Sequence, residues 1–328
     1  MVGAPYRPKE ILFSITGRCN LSCPHCDAVG PGRDLSVKSA ERFIDQSFAL
    51  GIRRIGFTGG EPFLSQDSMF SIIRQAVKKG MLFGNIMTNA VWYKNSGELK
   101  SALLKLRDSG YDGSLCISAD VFHDQSVPKI CRFIKTAINV FRRPDVVSIA
   151  YASGVRDAGT KKKLQDIAKC LKAGLIGFGR GGCVIKNSAL FIRLFKISLS
   201  SVGRARHLKD PWTDKWFKED YCNGPGNIFF VEHNGDVKPC CGYATGSKRL
   251  TIGNINTDSV ARIIAGANRN RFVNTVFSSG LSVIRDRLIK LGIEFPGKTD
   301  DHCFFCWYVL NKIPDAVLEK SINNYERS

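Results

Sequence analysis

Short apolar runs alternate with amphipathic stretches six times between residues 11 and 199, and no other feature limits the fold as much. The strand-like runs are ILFSIT (11–16), IRRIGFT (52–58), LFGNIMT (82–88), SLCISA (114–119), DVVSIAYA (145–152) and FIRLFKISL (191–199). After the first of them, Val37, Ala40, Phe43, Ile44, Ser47 and Phe48 recur at helical spacing, with Asp34 or Ser36 as the cap. Residues 68–79, 97–110, 127–141 and 160–173 also read as helices. Strand–helix units repeated in this way call for parallel strands, since each helical crossover returns the chain to the same end of the sheet. Cys19, Gly59, Asn89, Asp120 and Gly203 each follow a strand. Parallel sheets hold their ligands at that end. The expected fold is α/β, a partial (β/α)6 TIM-like barrel.

The pattern changes after about residue 210. NIFFVEHNGDVKPCC reads as two short strands around an Asn-Gly turn. Residues 257–291 read as mostly helical with a break near Asn268 to Asn270, and CFFCW precedes a last helix. The expected organisation is an N-terminal extension (1–10), the partial barrel (11–208), a small α+β domain (209–315) and a C-terminal helix (316–328). With the first strand starting near residue 11, no separate module is expected ahead of the barrel.

Charge and cysteine content narrow the class. Lys and Arg number 48 against 29 Asp and Glu, a formal charge of +19, and there are 12 cysteines among 328 residues. A secreted disulfide scaffold would be far shorter, so a reducing, cytoplasmic setting is expected, with the thiols used for metal or cluster ligation. No apolar run approaches the ~20 residues that span a bilayer, so no membrane partner is expected. The positive charge calls for an anionic partner such as an acidic peptide, a phosphorylated ligand or nucleic acid. No zinc-finger framework, RNA-reading motif or aromatic–basic stripe is found, so nucleic acid is not the expected one. The run Lys161 to Lys163 reads as a solvated helix face.

GRCNLSCPHCD spaces Cys19, Cys23 and Cys26 as C-x3-C-x2-C. Three thiolates on one loop suit three irons of a cubane cluster and leave the fourth iron open; a zinc site or three buried thiols also fit the spacing. Thr58-Gly59-Gly60-Glu61-Pro62 follows the second strand, a backbone run that glycine opens to close approach, with a carboxylate suited to an ammonium. Over residues 10–208 the chain resembles the radical S-adenosylmethionine (radical SAM) enzymes. The resemblance implies a [4Fe–4S] cluster on Cys19, Cys23 and Cys26, with S-adenosylmethionine on its open iron. It implies that Gly59, Gly60, Glu61 and Pro62 receive the amino group of that cofactor. Asn89, Ser118 and Asp120 would line its ribose or methionyl part. Arg204 and Arg206 are candidates for its carboxylate or for a substrate anion. His25 occupies the place where an aromatic residue packs on the cluster.

The C-terminal part holds Cys222, Cys240, Cys241, Cys303 and Cys306. A C-x2-C pair with two distant cysteines completes a four-thiolate set for a [4Fe–4S] cluster or zinc. C-x12-G-x4-C followed by C-x2-C resembles the twitch form of the SPASM auxiliary-cluster domain. That resemblance implies one auxiliary [4Fe–4S] cluster on Cys222, Cys240, Cys303 and Cys306. Cys241 is then left over, as a hydrogen-atom donor or as packing.

Over its whole length the chain resembles radical SAM peptide epimerases, through LCISADVFHDQSVP, SVGRAR and NGDVKPCC followed by TIGNI. The resemblance implies L-to-D epimerisation of a ribosomally made precursor peptide, with Cys241 returning hydrogen to Cα. An acidic leader would suit the basic charge, and a flavodoxin- or ferredoxin-type protein would supply electrons. One departure is Asn227, where that group carries an acidic residue. Thioether or carbon–carbon crosslinking of a peptide, sugar or aminoglycoside epimerisation, and a nucleic-acid-binding iron–sulfur protein are the alternatives. His123 is either substrate-facing or packed. Cys116, Cys131 and Cys170 are expected in the core, and Cys183, in GRGGCV, is expected in a loop with no assigned role.

Overall fold

The computed structural model describes residues 6–26, 32–153, 157–177, 182–217 and 226–323. The first five expected strands form as β1 (Glu10–Ser14), β2 (Arg54–Thr58), β3 (Leu82–Thr88), β4 (Ser114–Ser118) and β5 (Val147–Ser153). A hairpin of β6 (Gly174–Ile176) and β7 (Cys183–Lys186) then precedes β8 (Phe191–Ser198), the sixth parallel strand. That hairpin was not anticipated: three- and four-residue strands are too short to show a period. Its partner is β8, through antiparallel pairs such as Val184 with Arg193.

Helices α1 (Val37–Ala49), α2 (Gln66–Lys78), α3 (Ser96–Asp108), α4 (Val127–Phe141) and α5 (Asp157–Cys170) are the crossovers. Each buries the stripe that its periodicity requires. On α1 that stripe is Ala40, Phe43, Ile44 and Ser47, and Ser36, not Asp34, is the cap, accepting from Ser39 N at 3.3 Å. On α3 Asn95 caps Glu98 N at 3.0 Å.

Beyond residue 226 lie β9 (Ile228–Val231), β10 (Asp236–Lys238), β11 (Gly253–Asn254), α6 (Val260–Arg269), α7 (Arg271–Ser279), α8 (Leu281–Lys290), α9 (His302–Lys312) and α10 (Asp315–Asn323). The Asn234-Gly235 turn joins β9 to β10 as expected, with Gly235 at φ +93°, a conformation that glycine adopts without strain. Among the described residues the strand order is β11-β10-β9-β1-β2-β3-β4-β5-β8-β7-β6, one eleven-stranded sheet. It ends at β11 and β6, so the barrel is partial and open at one side.

The sheet does not stop at residue 208. Strand β9 pairs in parallel with β1, from Glu10 with Ile228 to Phe13 with Val231, and α6 places Val260, Ile263 and Ala267 in the barrel core. A second core gathers α7 to α10 around Phe272, Ile284, Leu288, Phe305 and Val309. Cys116 and Cys131 are buried and Cys170 packs on the first core, as expected; Cys183, expected in a loop, is instead a buried residue of β7, a strand too short to show a period.

Candidate active site

The loop after β1 is built to present its cysteines. Arg18 holds it from both sides, pairing with Asp34 Oδ2 at 2.7 Å and donating to Leu64 O at 3.0 Å. Cys23 is buried, and Cys19 and Cys26 are partly exposed. Leu21 N and Asn89 Nδ2 reach the Cys19 sulfur, at 3.4 and 3.8 Å. Burial pushes the Cys23 thiol up to about 12, and the neighbouring Cys26 and Cys19 push in the same direction. Thiolates this close repel one another and become favourable around a cation, so the donor set fits an iron–sulfur cluster.

Next to this loop, Gly59 and Gly60 run against its backbone. Gly60 N donates to Thr16 O at 2.7 Å and Glu61 N to Arg18 O at 2.8 Å. A Cβ on Gly60 would stand 2.1 Å from Arg18 O, so only glycine fits. Pro62 opens a short 3-10 helix, Pro62–Ser65. The Glu61 carboxylate is fully buried and points inward. It accepts from Phe63 N (3.2 Å), Thr88 Oγ1 (2.9 Å) and Asn89 N (2.7 Å), which pins the loop to the end of β3. Desolvation nevertheless raises it to about 7. That side chain is therefore spent inside the protein, and Gly59 and Gly60 are half-buried against the cysteine loop. Asn89 is likewise occupied, with Asn20 Oδ1 at 2.7 Å and Val91 N at 2.9 Å.

At the end of β4 Asp120 is almost wholly buried. It accepts from His123 Nδ1 (2.7 Å) and Phe122 N (3.0 Å) on one oxygen and from Ala152 N (2.9 Å) on the other. Burial acts to raise its pKa, but the His123 contact and the Ala152 N–H outweigh it and hold the carboxyl below its usual range. His25 stacks edge-on to His123, with ring centroids 4.7 Å apart, and its Nδ1 is buried with no hydrogen-bond partner. Burial, then His123, lowers His25 to about 4. His123 is therefore a packed member of the site.

Arg204, exposed after β8, donates Nε to Cys26 O at 2.8 Å and so borders the cysteine loop. Arg206 turns instead to His207 Nε2, at 3.0 Å. Lys161 and Lys162 are exposed, as a solvated face requires, but Lys163 is not: its ammonium donates to Asp120 O, His123 O and Gln125 Oε1. Nothing in a run of three lysines distinguishes the third. Only the angular position around α5 does.

The second set gathers on α9. Cys303 and Cys306 are three residues apart in a helix and so share a face. They sit in its first turns, where the helix N-terminus favours thiolates. A Cβ on Gly242 would lie 3.1 Å from the Cys303 sulfur, which brings the Cys240–Cys241 segment to the same place. Cys240 is buried and Cys241 exposed. Cys222 lies outside the described residues. Burial lifts the Tyr243 hydroxyl to about 12, helped by the charges of Cys303, Asp301, Cys26 and Asp120. Tyr243, missed in the sequence, thus feels the charge of a cysteine from each set.

Residues 13–161 match the model of the Radical SAM superfamily, and residues 222–284 that of an iron–sulfur cluster-binding domain, SPASM. These domains imply S-adenosylmethionine, a [4Fe–4S] cluster and an auxiliary cluster. YydG of Bacillus subtilis, named as a peptide biosynthesis protein, is 21% identical over 317 residues, 92% of each chain. A PqqA peptide cyclase of Rhodopseudomonas palustris is 32% identical over 88 residues, 26% of this chain and 23% of that one. The structure of anSMEcpe with bound AdoMet shares the fold, with a TM-score of 0.54 at 14% identity over 96% of both chains. The same protein with AdoMet and a Cp18Cys peptide gives a TM-score of 0.52 at 15% identity, over 97% of this chain and 96% of that one.

Proposed function

We propose that this chain, a radical SAM enzyme with a SPASM iron–sulfur domain, modifies a ribosomally made peptide by L-to-D epimerisation. The observation that carries the reading is Cys241, an exposed thiol beside buried Cys240 on a segment held against Cys303. A buried cysteine can be spent on a cluster, whereas an exposed neighbour can meet a substrate. The full-length relationship to YydG and the peptide held by the fold neighbour support a peptide as that substrate.

When bound at a four-iron cluster and reduced, S-adenosylmethionine supplies a radical that abstracts hydrogen. Cys19, Cys23 and Cys26 would hold that cluster within the barrel, residues 11–208. Cys222, Cys240, Cys303 and Cys306 would hold the auxiliary one within residues 209–315. The rest is done by this chain's own groups. Gly59 and Gly60 offer backbone, and Ser118 borders the end of β4, with Asp120 holding His123 and the β5 backbone in place behind it. Arg204, with Nε tied to Cys26 O, keeps its terminal N–H groups for a carboxylate. Phe195 and Ile197 of β8 are 47% and 39% exposed and offer an apolar surface to a peptide. The leader of that peptide, if acidic, meets a chain of net charge +19. Cys241 then gives its hydrogen atom to the planar Cα from the opposite face. The S–H bond breaks, a C–H bond forms, and the sulfur regains one electron from an external flavodoxin- or ferredoxin-type donor and one proton from solvent.

The test is anaerobic turnover in deuterium oxide with the short peptide encoded beside the gene. Epimerisation leaves one solvent deuteron in the product for each 5′-deoxyadenosine formed. Loss of two hydrogens with no deuteron would move the enzyme to the crosslinking class and leave Cys241 as packing.

A further inference from the structure

Two side chains with no assigned role tie together the backbone of the cofactor-facing wall. Gln125 Nε2 donates to Asn89 O at 2.6 Å and to Ser118 O at 2.7 Å, so one amide spans the ends of β3 and β4. Its Oε1 accepts from Lys163 Nζ at 3.0 Å, and a lysine only donates, which fixes the orientation of the amide. The other two protons of Lys163 go to Asp120 O and His123 O, each at 2.8 Å. One turn earlier on α5, Thr160 Oγ1 accepts from Val121 N at 3.3 Å. A Cβ on Gly159 would touch Val121 at 3.4 Å, so the helix lies close against the loop. Both N–H groups of the amide and all three of the ammonium are therefore spent on the ends of β3 and β4 and the loop that follows β4.

We infer that Gln125 and Lys163 are positioning residues for cofactor binding, acting through the carbonyl groups of Asn89, Ser118, Asp120 and His123. The inference rests on the reading that Asn89, Ser118 and Asp120 line the S-adenosylmethionine site. The partners are backbone carbonyls, so they set where the wall stands rather than what it carries. A shift of about 1 Å in such a wall is costly to a bound ligand.

The discriminating variant is Gln125→Glu. It keeps an acceptor for Lys163 and gains an ion pair, but offers no N–H to Asn89 O or Ser118 O. The measurements are the Kd for S-adenosylmethionine by equilibrium dialysis on the reconstituted holoenzyme, its iron content, and the Tm. We expect Gln125→Glu to raise Kd about tenfold with iron content and Tm held. Lys163→Met should raise Kd similarly and also lower Tm. An unchanged Kd in Gln125→Glu, or a rise that only follows lost iron or lost Tm, overturns the inference. Asp120→Ala separates the two levels. If it leaves Kd unchanged, the reading of the cofactor site fails and takes the inference with it. If it weakens binding while Gln125→Glu does not, the inference alone fails.

Discussion

Replacing Gly60 with alanine tests the packing of the site at its tightest point. The added Cβ would stand 2.1 Å from Arg18 O and 2.5 Å from Arg18 C, both backbone atoms, where ordinary contact begins at 3.4 Å. The two strands of loop must therefore part by about 1.3 Å, because neither partner is a side chain that can swing away. That movement strains the hydrogen bonds from Gly60 N to Thr16 O and from Glu61 N to Arg18 O. It also displaces Cys19, which follows Arg18 directly. Overpacking of this kind costs about 1–3 kcal/mol of stability. A displacement of about 1 Å at a reacting centre costs on the order of a hundredfold in rate. The assay is reductive cleavage of S-adenosylmethionine without peptide, read as 5′-deoxyadenosine per cluster, with iron content measured on the same sample. Gly60→Ala should bring cleavage down about a hundredfold even in molecules that load iron. Full cleavage at full iron content would refute the reasoning, since the loop would then have absorbed the methyl group without moving the site.

Three further outcomes are expected. Glu61, raised from 4.5 to about 7 by burial, holds its proton more tightly folded than unfolded. Its share of stability is thus complete below about pH 4.5 and declines as pH rises through about 7, a loss of about 3 kcal/mol. Glu61→Gln should remove that slope from the pH dependence of denaturant unfolding of cluster-free protein, and an unaltered slope would count against the assignment. Cys241→Ala should stop turnover with iron content and visible absorption unchanged; loss of about half the iron would instead make Cys241 a ligand. Cys303→Ser should lose about half the iron and keep peptide-independent cleavage of S-adenosylmethionine, and retention of all the iron would exclude Cys303 from the auxiliary set.

Much of this was legible along the chain because its signals are local. Alternating periods of two and 3.6 residues determine which face of each segment is apolar, and that is enough to require parallel strands and a site at their C-terminal ends. Three cysteines within eight residues share one loop in any fold, and two cysteines three apart share one helix face. The sequence could not say which polar atoms would be used up inside the protein. Glu61 reads as a carboxylate for an ammonium, yet its oxygens meet the Phe63 and Asn89 N–H groups and the Thr88 hydroxyl. Arg204 and Arg206 are alike on paper, but two residues of chain separate contact with Cys26 from contact with His207. Lys163 looks like Lys161 and Lys162 until the rotation of α5 carries it under the β4 loop. Residue type and spacing set the fold and the cysteine sets. Hydrogen bonds made only once helix packs on sheet, many of them between residues distant in sequence, decided which polar groups are used inside the protein.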